Sequence, residues 1–135
     1  MTEQDKQLLL KDLCARSFYG VKIHIDSPKY GELIGTLDAV YPNEERIIVD
    51  NLDKAIAPIN VRCGGFRLED SVIKPYLRPM SSMTEEECKE RIEIFGKYCP
   101  FDNSPMYIDW LNAHHFDYRG LIEKGLALEA PKGMY

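Results

Sequence analysis

The chain of 135 residues lacks the residue patterns that mark most catalytic and metal-binding proteins. Its cysteines include no pair with the two-residue separation of zinc knuckles or redox motifs. We therefore interpret them as small buried hydrophobic residues in a reducing compartment. No metal site and no cofactor is predicted on this basis. The four cysteines are Cys14, Cys63, Cys88 and Cys99.

An excess of positive charge is also missing. The formal net charge is -5 and the sequence pI is near 5.2, so no broad cationic field attracts phosphate backbones. Non-specific nucleic-acid binding is therefore not expected. Residues 1–80 hold 11 basic and 12 acidic side chains, whereas residues 81–135 hold 6 basic and 10 acidic ones. The acidic surplus is concentrated in the C-terminal part.

Long hydrophobic runs are absent too. The three leucines at residues 8–10 are far too few for a signal-peptide core or a membrane span, so we predict a cytoplasmic protein without a membrane partner. Hydrophobic residues make up 44% of the chain and charged residues 29%, which is ordinary for a globular protein. A chain of this length suits one modest core.

Alternating apolar and polar residues indicate strands in the first part of the chain. Thr2 is a candidate N-cap for a leading helix over residues 2–15. Gly35 predicts a bulge or bend within a strand. We predict strands at 21–26, 32–41, 46–49, 59–62 and 65–68, a helical turn at 68–73 and extended backbone at 75–79.

The second part of the chain has helical signals. Thr84 and Glu87 have the spacing of a capping box, so a helix over residues 84–98 is predicted to bury Cys88, Ile92 and Phe95. Two more helices are predicted, one at 106–115 after an N-cap serine and proline at residues 104–105, and one at 121–128. Residues 1–80 and 81–135 are expected to pack together as one domain.

The order of these elements predicts the α+β class. Two architectures fit it: a small SH3-like or Sm-like barrel, and an open antiparallel sheet with helices on one face. In both, the helical C-terminal part packs on the sheet or forms a partner surface.

Three motifs resemble a known family. They are LLKDLCAR at residues 9–16, IKPYLRPMSSMTEEE at 73–87 and DWLNAHHFDYRGLIEKGLA at 109–127. The chain is similar there to a family of small uncharacterised proteins encoded by phages, prophages and mobile elements of gut bacteria. The resemblance implies a phage or mobile-element origin and a role in the contest with a bacterial host. Residues 27–65 match least well.

The histidines His114 and His115, followed by Asp117, are the best candidates for chemistry or metal binding. Adjacent residues on a helix point about 100° apart, so both imidazoles cannot face one ion unless the helix ends there. We favour one histidine that packs or caps the helix end and one in solvent. Trp110 either contributes to a binding surface or fills a core, and we favour the core.

Four basic residues, Arg62, Arg67, Lys74 and Arg78, surround Gly64 and Gly65. With Tyr76 and Phe66 nearby, this composition is compatible with an anion, nucleotide or single-stranded nucleic-acid site. The glycine pair lacks the strand-to-helix context of a phosphate-binding loop. Solvated strand faces that balance nearby acids are the other interpretation.

Because every catalytic template fails, we predict a non-enzymatic binding module whose partner is another protein. The alternative is a counter-defence or host-takeover factor that captures a nucleotide signal or blocks a bacterial effector. Homo-oligomerisation is left open. The candidate binding residues are Arg62, Arg67, Tyr76, Arg78, Trp110, His114 and His115.

Overall fold

The structure, a computed structural model, describes residues 1–52, 63–96 and 104–135. Three α-helices and six strands occur in these ranges, with short 3-10 turns at Pro42–Glu44 and Met80–Ser82. In chain order the elements are α1 (Glu3–Arg16), β1 (Lys22–Ser27), β2 (Gly31–Tyr41), β3 (Arg46–Asp50), β4 (Gly64–Arg67), β5 (Val72–Leu77), α2 (Glu85–Phe95), α3 (Pro105–Ala113) and β6 (Leu128–Glu129). The predicted strand at 59–62 lies outside the described residues.

The strands form one mixed sheet in the order β4-β3-β2-β1-β5-β6. Strands β1 to β5 pair antiparallel, and the two-residue β6 pairs parallel with β5. The sheet is open in the described part of the chain, with β4 and β6 as its two edges. The α+β class is therefore confirmed, whereas a closed barrel is not.

One face of the sheet carries the main core. Leu9, Leu10 and Leu13 of α1 pack there against alternate residues of the strands, such as Ile23 and Ile25. The helix begins as predicted at Thr2, whose hydroxyl accepts the Asp5 N–H at 3.1 Å while the Asp5 carboxylate accepts the Thr2 N–H at 3.2 Å. These reciprocal bonds satisfy donors that a helix start leaves open.

Gly35 has a packing role. The β2–β3 register shift falls between Leu37 and Ala39, so of the two predicted alternatives, a bulge or a bend, the bulge does not lie at Gly35. A Cβ atom at Gly35 would overlap the Val49 side chain and lie 2.8 Å from the Asp50 carbonyl oxygen. Glycine is needed there because β3 passes so close.

A second, smaller core lies between α2 and α3. Its buried members are Tyr107, Trp110, Leu111 and Phe116, against which Phe95 packs. Helix α2 begins with the predicted Thr84 capping box. The predicted burial of Ile92 is wrong, because its side chain is 43% exposed.

The predicted helix at 121–128 is also wrong. This segment forms turns that lead into β6, and Gly120 and Gly125 have φ values of +74° and +72°. Such left-handed positions end a right-handed helix. The Asp117 carboxylate instead accepts the N–H groups of Leu121 and Ile122, each at 2.9 Å.

Two further predictions need correction. Residues 68–70 form a tight turn, and β5 already begins at Val72, so the helical turn does not reach residue 73. Cys14 and Cys63 are exposed and Cys88 is half-buried, since α1 and α2 direct Cys14 and Cys88 away from the cores and Cys63 lies just before β4 at the edge of the sheet. Cys99 and the predicted helix end at 97–98 lie outside the described residues.

The described helices include none that is both long enough and apolar enough to cross a bilayer.

Candidate binding surface

Arg78 is held by an ion pair and by an aromatic ring. Its Nη2 and Nη1 donate to the two carboxylate oxygens of Glu87 at 2.6 and 2.8 Å, and its guanidinium lies 4.3 Å from the Phe116 ring centre. The bidentate bond raises the pKa of Arg78 and lowers the pKa of Glu87 to about 2. The predicted ligand-binding arginine therefore joins α2 to the end of β5.

Trp110 lies in the second core, as we favoured from the sequence. It is 8% exposed, and its indole N–H donates to the Glu90 carboxylate at 3.2 Å. The His114 ring lies 4.2 Å from the Trp110 ring, and its Nδ1 is 2.8 Å from the Trp110 carbonyl oxygen. His114 thus packs at the C-terminal end of α3.

His115 faces a different neighbour. It is 9% exposed, has a φ of +64° and stacks on Tyr135 with ring centres 3.7 Å apart. Burial, with the nearby positive charges of Arg16 and Arg78, lowers the pKa of His115 to about 4, so the ring is neutral at physiological pH. The expectation that one histidine lies in solvent is wrong, since both rings are packed. The described residues include no group of three or more metal-ligating side chains placed to share an ion.

The basic cluster predicted from the sequence is divided in space. Arg67 lies on β4, whereas Tyr76 and Arg78 lie on or just after β5. Three strands separate β4 from β5, which corresponds to roughly 19 Å across the sheet. Arg67 pairs with Glu69 at 3.5 Å, and Arg62 lies outside the described residues. Arg67 and Arg78 are therefore too far apart to share one ligand site, although they are close in sequence.

The pairing of β1 with β2 and β5 places a row of side chains on the face of the sheet opposite the main core. His24 on β1 lies opposite Ile34 on β2 and Lys74 on β5, and all three point away from the main core. Each of the three strands adds the residues two positions before and after, which point to the same side. We call the surface made by Lys22, His24, Asp26, Glu32, Ile34, Thr36, Val72, Lys74 and Tyr76 the open face.

The open face has apolar side chains among charged ones. Ile34 is 38% exposed and Val72 is 54% exposed. The rings of His24 and Tyr76 meet edge to face at 6.2 Å, and His24 Nε2 is 3.7 Å from the Glu32 carboxylate. Partial burial and the negative charge of Glu32 raise the pKa of the Tyr76 phenol. Tyr76 is therefore neutral, and its half-buried ring lies beside His24 on this surface.

The alternation of apolar and polar residues predicted one solvent-exposed face for β1. It could not show that Ile34 and Val72 lie on that side, because neighbouring strands are aligned by pairing across the sheet. Of the predicted binding residues that the structure describes, only Tyr76 belongs to the open face.

A buried charge network was missed altogether. Arg16 and Asp12 are both fully buried on α1 and pair at 2.8 Å, and Arg119 donates to the other Asp12 oxygen at 2.9 Å. Arg16 also donates to the Phe116 carbonyl at 2.6 Å. The spacing of Asp12 and Arg16, four residues apart on a helix, was the available signal. This network joins α1 to residues 116–119 and has a structural role.

A groove lined by basic side chains lies beside the β1–β2 turn and strands β3 and β4. Its volume is about 720 Å³, and Lys29, Arg46 and Arg67 line it together with Glu44 and Asp70. Arg46 donates to Glu44 at 2.9 and 3.0 Å, so part of the positive charge is already compensated.

Fold and surface together define an α+β protein with an open mixed sheet, one covered face and one exposed face. No protein-family model, curated protein or solved structure matches the chain. These comparisons therefore assign no function and no functional residue to it.

Proposed function

We propose that this protein is a non-catalytic binding module that contacts another protein through the open face of its sheet. The observation that carries the proposal is the exposure of two large apolar side chains on this face, Ile34 within β2 and Val72 at the start of β5, among charged residues. The opposite face is covered by α1 and residues 121–127, so the sheet does not need a second layer to form its core.

The composition of this face agrees with a protein interface. Protein contact surfaces combine an apolar or aromatic centre with a polar rim. Here Ile34, Val72 and Tyr76 supply the apolar and aromatic contacts, and the charged residues Asp26, Glu32 and Lys74 lie beside them. The resemblance to phage and mobile-element proteins favours a bacterial protein as the partner.

The test is capture from bacterial lysate with a surface variant and a matched control. The variant carries Ile34→Lys and Val72→Lys, and the control carries Phe18→Lys and Met106→Lys at exposed apolar positions outside the open face. A partner retained by the wild type and the control, but lost by the variant, supports the proposal. Equal retention by all three proteins, or the same loss in both variants, contradicts it.

A second candidate role is capture of a nucleotide or another anion. It is favoured by the groove lined by Lys29, Arg46 and Arg67. Titration calorimetry with mono- and cyclic dinucleotides should then show binding that Lys29→Glu weakens at least tenfold. Binding unaffected by this charge reversal would exclude the groove as the site.

A further inference from the structure

Tyr135 fills a slot between three separate parts of the chain. Its ring lies 3.7 Å from the His115 ring, measured between centres, and the two planes are inclined by 17°. Its hydroxyl accepts the backbone N–H of Lys22 at 2.7 Å and donates to the backbone carbonyl of Tyr76 at 2.8 Å. The ring and the hydroxyl of one phenol are thus both recognised.

The hydroxyl occupies a place in the β1–β5 ladder. The antiparallel register aligns Ile23 with Pro75, so Lys22 and Tyr76 form the next pair. Their backbone groups are joined through the Tyr135 oxygen instead of directly. A strand N–H and C=O that do not bond each other in this way favour a ligand that both accepts and donates.

The other side of the slot is held without help from Tyr135. The His115 N–H donates to the Asn112 carbonyl at 3.0 Å, and the His115 carbonyl accepts the Arg78 N–H at 2.8 Å. The residue keeps a left-handed φ of +64°, which is uncommon for a side chain larger than glycine and often occurs at functional sites. Its Nδ1 is buried and has no hydrogen-bond partner among the described residues.

Apart from Tyr135 itself, residues 131–135 have few attachments to the rest of the protein. Ala130 donates to the Leu77 carbonyl at 2.8 Å, and beyond it the backbone bond between Met134 and Pro131 is local to the segment. Lys132 and Gly133 are exposed, and Tyr135 itself is 40% exposed. Because the other residues of this segment have few contacts with the described chain, we expect the segment to open at a lower free energy than the core.

We propose that the slot formed by His115, Lys22 and Tyr76 is an exchangeable tyrosine site, filled in this structure by Tyr135 and open to a tyrosine of a partner protein when residues 131–135 detach. The chemistry of the ligand follows from the present occupant, because the same ring contact and hydroxyl bonds are available to any phenol side chain. The inference rests on the proposed protein-binding role and specifies what the partner presents.

The adjoining groove indicates the residues beside that tyrosine. It has a volume of about 640 Å³, and its lining includes Glu86, Glu129 and Lys132. Lys132 leaves with the detached segment, whereas the two exposed carboxylates remain. A partner with a basic residue next to its tyrosine is therefore complementary in charge.

The test uses the full chain with Tyr135→Ala and a matched pair of small probes, N-acetyl-tyrosinamide and N-acetyl-phenylalaninamide. The tyrosine probe should bind the variant saturably, and at least tenfold more tightly than the phenylalanine probe, because only the hydroxyl satisfies both backbone groups. Wild-type protein should bind it at least tenfold more weakly, since Tyr135 competes. Equal binding of the two probes, or no binding to the variant, overturns the proposal.

Hydrogen exchange on the wild type supplies a measurement that does not depend on the variant folding. The Lys22 amide should exchange at least a hundredfold faster than the Ile25 amide. Adding the tyrosine probe should change the exchange rate of the Lys22 amide. Exchange of both amides at one common rate would mean that the slot opens only with global unfolding, which contradicts exchangeability. A wild-type dimer that Tyr135→Ala abolishes would identify a second copy as the occupant and overturn the assignment to a different protein.

These outcomes are separable from those of the open-face experiment. The probes report on the slot without a protein partner, whereas lysate capture reports on Ile34 and Val72. Probe binding with no captured protein would contradict the binding-module role while leaving the slot intact. Capture without probe binding would contradict the slot alone.

Discussion

Replacing Glu87 with glutamine removes one charge from the Arg78–Glu87 pair while keeping the start of α2. Glutamine can still accept the Thr84 N–H, as the capping box requires, so the helix cap is retained. The two partners are only 20% and 15% exposed at their side chains, and the geometry is bidentate. The variant therefore isolates the ionic contact between α2 and the end of β5.

The magnitude follows from the pKa of Glu87. Lowering it from 4.5 to about 2 corresponds to about 3 kcal/mol of stability at neutral pH. Part of this comes from Thr84 and remains in the glutamine variant. We therefore expect a loss of about 2 kcal/mol, and a lower urea midpoint with an unchanged slope, followed by the fluorescence of Trp110.

The pH dependence provides the sharper test. A carboxylate with a lowered pKa stabilises the fold above its unfolded value near 4.5, and this contribution is lost as the pH falls toward 2. The stability difference between wild type and Glu87→Gln should therefore shrink from about 2 kcal/mol at pH 7 to nearly zero at pH 2. The matched control is Glu86→Gln on the exposed side of the same turn, with an expected change below about 0.5 kcal/mol. A pH-independent difference, or an equal loss in the control, would refute the reasoning.

Three further predictions concern stability. Asp12→Ala should lower the free energy of unfolding in urea by about 3–5 kcal/mol, because it leaves the fully buried Arg16 without its carboxylate. A loss below about 1 kcal/mol would contradict the network. Gly35→Ala should abolish or severely weaken folding, seen as loss of the cooperative thermal transition, because its Cβ would overlap Val49. Gly125→Ala should cost about 1 kcal/mol from its positive φ, and an unchanged melting temperature would argue against the turn geometry.

Several local structures follow from the amino-acid sequence alone. Thr84 and Glu87 have the capping-box spacing, and α2 begins where that spacing predicts. The alternation around Ile23 and Ile25 identified β1 and its core face. Trp110 was correctly interpreted as a core residue. These features depend on neighbours within about four residues, whose geometry is set by the helix and strand periods.

Other predictions failed where local patterns compete with packing. Residues 121–128 have apolar spacing suited to a helix, but the Asp117 carboxylate and the left-handed glycines Gly120 and Gly125 impose turns instead. Ile92 has the spacing of a buried helix residue, yet α2 contacts its neighbours through Glu87, Glu90 and Phe95 and leaves Ile92 exposed. Neither outcome is encoded in spacing alone.

The candidate sites show the same division. Arg67 on β4 and Arg78 just after β5 are near in sequence, but three strands separate β4 from β5, because β5 crosses back to pair with β1. Tyr135 and Lys22 are 113 residues apart and meet through one hydroxyl. Pairing and closure of this kind are decided by which faces exclude water together, and a single sequence does not show that.

What the amino-acid sequence determined by itself was the α+β class, the two capped helices and the acidic C-terminal part, since these follow from short-range spacing and composition. Tertiary structure alone decided that the sheet is open, that Ile34 and Val72 share its uncovered face, and that His115 stacks on Tyr135. The physical reason is that strand register and the packing of distant segments depend on burial summed over the whole chain.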